Sequence, residues 1–177
     1  MLSARTRARA AAVWQTLAAK ERLCEELDRL VLSRGAAAEA VDAQALPPLA
    51  ERWAALPALP AAWEKKMLAR RDAAQSGLSA AEVDGKYRAR MEQGAAARRQ
   101  ALLELELQLG LDSPPEFQQQ RLALQVKQLK ERFSNAASAA AVSAGERLLA
   151  WCAQAGVADA LDRQRCERIL AQVEKLH

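Results

Sequence analysis

Apolar residues return at three- and four-residue intervals along most of this chain, the spacing that lines one face of an α-helix. Near the N-terminus Val13, Leu17, Cys24, Leu27 and Val31 form such a seam, and Trp14, Leu23 and Leu30 widen it. The pattern predicts a helix from about Ser3 to Ser33, ended by Gly35 and roughly 45 Å long at about 1.5 Å per residue. Residues 35–47 contain helix formers but little apolar contrast, and they are read as a connecting segment. A short helix from Pro48 to Leu56 opens on a proline, where no amide donor is needed. Pro57 and Pro60 then force a corner. Another helix, Ala61 to Gln75, carries Trp63, Met67 and Leu68 on one side. Ser79-Ala80-Ala81-Glu82 has the spacing of a capping box and opens a rod of about 30 residues ending at Gly110. Val83, Tyr87 and Met91 extend its apolar face, and Gly94 within it marks a bend or a close helix contact.

Between 101 and 133 the pattern is densest. Leu103, Leu105, Leu107 and Leu109 alternate with Glu104, Glu106 and Gln108, formally a strand signal. Helix is the better reading, because Leu, Glu and Gln are good helix formers and nothing else in the chain offers a partner strand. Those leucines, with Leu102, then wrap much of the helix and call for several neighbours. Gly110 suits the left-handed position past a helix end. Ser113-Pro114-Pro115-Glu116 reads as another capping box, starting a new helix at Pro114. Beyond it Leu122, Val126, Leu129 and Phe133 share one stripe. The expectation is that the corner folds one rod back on the other, hiding leucines and leaving cations outside.

Ser143-Ala144-Gly145-Glu146 is a third box, beginning a helix through Trp151 to Ala155. Gly156 closes it. A last helix from about Val157 to Leu176 packs Leu161, Ile169, Leu170 and Val173. The sum is an all-α, elongated antiparallel bundle of long helices forming one domain, 1–177. It comprises the connecting segment 35–47, a core over 48–133 and a C-terminal helical hairpin over 134–177.

Composition sharpens this picture in two ways. Hydrophobic residues make up 51% but aromatics only 4%, so leucine is the expected core filler between thinly separated helices. Net charge is +4, with an isoelectric point near 9.2, which permits an anionic partner without requiring one. Cys24, Cys152 and Cys166 are odd in number and lack any CxxC spacing. Neither a disulfide framework nor a zinc site is expected, and a reducing, cytoplasmic setting follows. No apolar run approaches the ~20 residues that span a bilayer, so no membrane partner is expected. The Arg-rich N-terminus, acid-free until Glu21, has the composition of an organellar presequence. Its apolar phase runs on through Leu27 and Val31, so it is read as the first helix.

The stretch LELQLGLDSPPEFQQQRLALQVKQLKERF, together with Arg52-Trp53, the proline corner and the Trp/Met/Leu helix after it, resembles a bacterial helical family. That family is catalogued as a domain of unknown function, number three hundred and forty-nine. The resemblance covers about Leu49 to Phe133 and rests on the leucine-rich helix, the Ser-Pro-Pro corner and the Gln/Arg/Leu helix. Relatives are often longer, so the chain resembles a shortened member. The resemblance implies a helical fold. The family's function is unsettled, and some members bear the label of a DNA-repair ATPase.

A phosphate-binding loop needs G-x-x-x-x-G-K-[ST]. The nearest string, Asp84-Gly85-Lys86-Tyr87, has Ala80 where the first glycine belongs and tyrosine in place of the hydroxyl residue that binds magnesium. His177, the one histidine, stands at the C-terminus, so neither a catalytic triad nor a histidine metal site has a positioned imidazole. Glu104 and Glu106 point to different sides of a helix. Glu25 and Glu26 are read as solvated surface. The expectation is therefore a non-enzymatic protein with no metal and no cofactor. Its surface charge suggests a nucleic-acid or ribonucleoprotein interface built from Lys65, Lys66, Arg70 and Arg71 on one helix and Arg88, Arg90, Arg98 and Arg99 on the next. Arg5, Arg7 and Arg9 mark the first helix. Trp14, Trp53, Trp63 and Trp151 lie on apolar phases and are read as core anchors rather than base-stacking platforms. The competing expectation is a protein-interaction scaffold or a self-associating chain that uses apolar helix stripes.

Overall fold

The N-terminal seam folds as one unbroken helix, α1 (Ala4–Ser33). The computed structural model describes residues 4–34, 46–80, 85–134 and 142–176, and among these all regular structure is helical. The remaining helices are α2 (Leu46–Ala54), α3 (Ala61–Ser79), α4 (Gly85–Leu109), α5 (Gln118–Phe133), α6 (Ala144–Ala153) and α7 (Ala160–Leu176). α3 packs on α1 and α6, and α4 on α6 and α7. One apolar cluster runs through these helices. Leu17, Met67, Leu102, Leu105 and Ile169 are fully enclosed in it, and each contributes about 2 kcal/mol by leaving water. Trp14, Trp53 and Trp151 are buried and Trp63 packs against Trp14 at 4.8 Å, so the tryptophans are core anchors.

Residues 102–109 are helical despite their alternation. Leu102, Leu103 and Leu105 are buried against several neighbours, and so is Glu106. Gly94 marks a close contact: a Cβ there would lie 1.9 Å from the Ala155 carbonyl oxygen. Gly110 takes φ 67°. Leu111 N–H donates to Glu106 O at 2.8 Å and Gly110 N–H to Leu107 O at 3.3 Å, the two bonds of a Schellman ending.

Two capping boxes are corrected. Ser79 ends α3, where its hydroxyl donates back to Gln75 O at 3.1 Å. Helix α3 runs past Gln75 because Ala74 and Leu78 continue the buried phase of Met67. Glu82 and Val83 lie outside the described residues, as do residues 35–45, 135–141 and His177. At the second box, Pro114 keeps extended backbone (ψ 151°), as a residue before proline must. Helical structure therefore begins later, with a 3-10 turn at Pro115–Phe117, and Ser113 stands one residue too early to cap it. Its Oγ instead accepts from Arg121 Nη1 at 2.7 Å. The third box forms in full: Glu146 N–H donates to Ser143 Oγ at 3.2 Å and Ser143 N–H to Glu146 Oε2 at 2.9 Å. α7 starts three residues after Val157, where the Asp159 carboxylate accepts from Asp162 N–H at 2.8 Å.

α5 departs most from expectation, for it has no buried residue. The corner does not fold its leucines under α4.

Candidate functional site

The eight candidate cations do not form one face. Arg70 and Arg98 are 4% and 3% exposed, inside the protein, and no phosphate can reach them. Both stand in the apolar phase of their helices, Arg70 between Met67 and Ala74 and Arg98 between Gly94 and Leu102, so packing draws them inward. Arg99 is at the surface but is held by Asp162 at 3.0 Å and Asp159 at 2.9 Å. Arg71 pairs with Asp72 at 2.8 Å and lies over the Trp53 ring. Arg88 donates to Arg34 O and Leu32 O, satisfying the carbonyl end of α1. Arg90 lies over Tyr87, and Lys65 and Lys66 are exposed. Of the eight, Arg70 and Arg98 are thus withdrawn from any phosphate-binding face, while Lys65, Lys66 and Arg90 stay exposed.

What the two arginines build is a buried ionic junction. α1 supplies Glu21, Glu25 and Asp28; α3, α4 and α7 supply Arg70, Arg98 and Arg163. Arg70 Nη2 donates to Asp28 Oδ2 at 2.9 Å, and its Nη1 to Cys152 O at 2.6 Å. Arg98 donates to Glu21 and to Gly156 O, and its guanidinium lies 3.8 Å from the Trp151 ring centroid. Arg163 Nη1 donates to Glu21 Oε2 at 2.6 Å, and its Nη2 reaches Glu25. Inside the protein three guanidinium groups face three carboxylates, and Arg29 adds a fourth from the surface, at 2.7 Å from Glu25. The reading of Glu25 as solvated surface is corrected: it is buried between Arg98, Arg163 and Arg29. Glu26 does face outward, forked by Arg52 at 2.6 and 2.8 Å. A second junction joins α4 to α7, with Arg165 donating to Glu106 at 2.8 and 3.0 Å and to Asp162 at 2.9 Å.

The glycines explain how the junction closes. With no Cβ on Gly94, the turn after α6 descends onto α4 and brings Gly156 O within reach of both Arg70 and Arg98.

Burial alone would raise the Glu21 carboxyl, but Arg98, the hydrogen bond from Arg163 and the nearby Arg70 outweigh it and hold it at about 2. At Asp28 burial prevails over Arg70, and the carboxyl is pushed up. Burial also raises the Tyr87 hydroxyl, which donates to Asp28 Oδ1 at 3.3 Å. The Cys24 and Cys166 thiols are pushed by burial to about 12, and Cys152 well above its ordinary value. A carboxylate saturated by guanidinium groups and a thiol kept protonated are poor acid–base or nucleophilic groups. The junction's chemistry is that of a clamp between helices. Among the described residues no group of three or more His, Cys, Asp and Glu side chains is disposed to hold a metal ion. No described helix is long and apolar enough to cross a membrane.

The unsatisfied surface lies elsewhere. On α5, Leu122, Val126, Leu129 and Phe133 are 43–85% exposed and lie on one stripe. A shallow groove beside it is lined by Leu122, Gln125, Val126, Gln128, Leu129 and Arg132. The helix is firmly rooted. Arg121 Nη1 donates to Leu111 O and Ser113 Oγ, each at 2.7 Å, Gln118 Nε2 donates to Ser113 O at 2.7 Å, and Phe117 is buried under the Arg165 guanidinium. α5 is therefore a fixed arm that presents an apolar edge to solvent. The stripe is visible in the sequence, where the expectation is that the corner hides it and the competing expectation is that apolar helix stripes bind a partner.

No family model matches the chain, and neither a curated protein nor a solved structure matches it.

Proposed function

We propose that this chain is a non-enzymatic helical binding module that engages a protein partner along the apolar stripe of α5. One observation carries the reading: four large apolar side chains line one edge of a rooted helix that buries none of its residues. Contiguous exposed apolar surface of this kind marks interaction sites, because its exposure to water is a standing cost that a partner removes. The nucleic-acid reading loses support, since Arg70 and Arg98 are buried and Arg99 is matched by acids. A cytoplasmic setting and kinship with the helical family resembled by residues 49–133 belong to the same proposal. The three free thiols support the first and the Gly110 corner the second.

The test places a photo-crosslinking amino acid at Val126 in the full chain, with Gln120, on another side of α5, as control. Protein adducts are expected from position 126, absent from position 120 and abolished by Leu129→Ser. Equal labelling from both positions, or none, refutes the reading. A gel shift with mixed-sequence RNA and DNA at low salt accompanies it. Binding there that Leu129→Ser leaves untouched restores the nucleic-acid alternative.

A further inference from the structure

The spacing and charge of α5 say more about its partner. Leu122, Val126, Leu129 and Phe133 are separated by four, three and four residues. That is the a/d pattern of a coiled-coil seam, narrower than the broad apolar face with which a helix lies in a lipid surface. The positions bordering this seam are Ala123, Gln125, Lys130 and Arg132, with no acid among them. Over the whole helix four cations, Arg121, Lys127, Lys130 and Arg132, stand against Glu131 alone. Arg121 is used at the corner, and Lys127 lies 4.0 Å from Glu131. Lys130 and Arg132 are left exposed along the seam's C-terminal half.

Resting on the reading of α5 as a binding arm, we propose that its occupant is an amphipathic helix with acidic residues flanking its apolar edge. Apolar residues of the incoming helix fill the holes along the seam, and its carboxylates meet Lys130 and Arg132. A second copy of this chain fits less well, because it brings the same cations and no acid to the border. Such a site gains from the rigid corner: a helix already fixed in its bound form loses little conformational freedom on binding. Charge pairing at the border raises the association rate and rejects cationic partners.

The experiment uses the full chain and two labelled peptides of three heptads, both with Leu at a and d, one with Glu and the other with Lys at e and g. Fluorescence anisotropy is read at about 0.05 M and about 0.5 M salt, over which ionic screening shortens from beyond a helix diameter to a few ångströms. The acidic peptide is expected to bind at least about tenfold more tightly than the basic one at low salt, with the gap narrowing at high salt. The double variant Lys130→Glu/Arg132→Glu is expected to reverse the preference, and Leu129→Ser to abolish binding of both peptides. All these side chains are exposed, and an unchanged circular dichroism melt shows that folding is intact. Equal binding of the two peptides overturns the proposal. So does uptake by vesicles of mixed neutral and anionic lipid when neither peptide binds, and so does dimerisation, in sedimentation, that Leu129→Ser abolishes. If crosslinking through position 126 persists while the peptides are not distinguished, this inference alone fails. If both disappear, the reading of α5 fails with it.

Discussion

Replacing Arg98 by methionine tests whether the buried junction holds the helices together. The substitution keeps an unbranched apolar stem beside Trp151 but removes the donors to Glu21, Glu25 and Gly156 O. Glu21 gives the scale. Its carboxyl is held at about 2 against an ordinary 4.5, and at about 1.36 kcal/mol per unit that difference is about 3 kcal/mol. Because the folded value lies below the unfolded one, this stabilisation is fully present above pH 4.5 and is lost as pH falls toward 2. Asp28 acts in the opposite sense: burial raises its carboxyl, so ionising it subtracts stability as pH rises above 3.8. The informative quantity is therefore a difference between variants at two pH values. Urea unfolding followed by far-ultraviolet circular dichroism, for wild type, Arg98→Met, Glu21→Gln and the double variant, supplies it. At neutral pH Arg98→Met is expected to lose about 3–5 kcal/mol, since an uncompensated carboxylate is left inside. At about pH 3, within the span over which the Glu21 contribution is lost, the loss should be smaller. The double variant should lose less than the sum of the singles, because cation and anion leave together. A neutral-pH loss below about 1 kcal/mol, or a strictly additive double variant, refutes the account of the junction as a clamp.

Gly94→Ala is expected to cost more than about 2 kcal/mol in urea unfolding, because its Cβ would lie 1.9 Å from Ala155 O and the turn over Arg98 must lift. Gly85→Ala meets nothing within 4 Å and should be neutral or stabilising by up to about 1 kcal/mol, which makes it the matched control. Ser143→Ala removes the one complete capping box among the described helices and should lower stability by about 1 kcal/mol, seen as a fall in Tm. Native protein should leave Ellman's reagent unreacted at neutral pH, and denaturant should release all three thiols, since each is buried and held protonated.

The sequence by itself determined the class of fold and most of its joints. Periodicity and helix-forming residues were enough for α1, for the helical reading of 102–109, for the left-handed Gly110 and for the Ser143 box, because each depends on neighbours within a few positions. The buried junction was legible too, but only to a reader asking which charges stand in the apolar phase. Trp14, Leu17, Glu21, Cys24, Asp28 and Val31 follow one another at alternating three- and four-residue steps, and Arg70 and Arg98 occupy the equivalent places on α3 and α4. A charge at such a position either breaks the helix face or meets its opposite across the core, and one chain segment alone does not say which. That choice belonged to the tertiary structure, since only packing brings α1 against α3, α4 and α7. The same holds for α5. Its stripe has the periodicity of a buried face, and local sequence carries no sign of whether another helix covers it. The proline pair delayed the helix start and Arg121 fixed the corner, and together they left that edge in water.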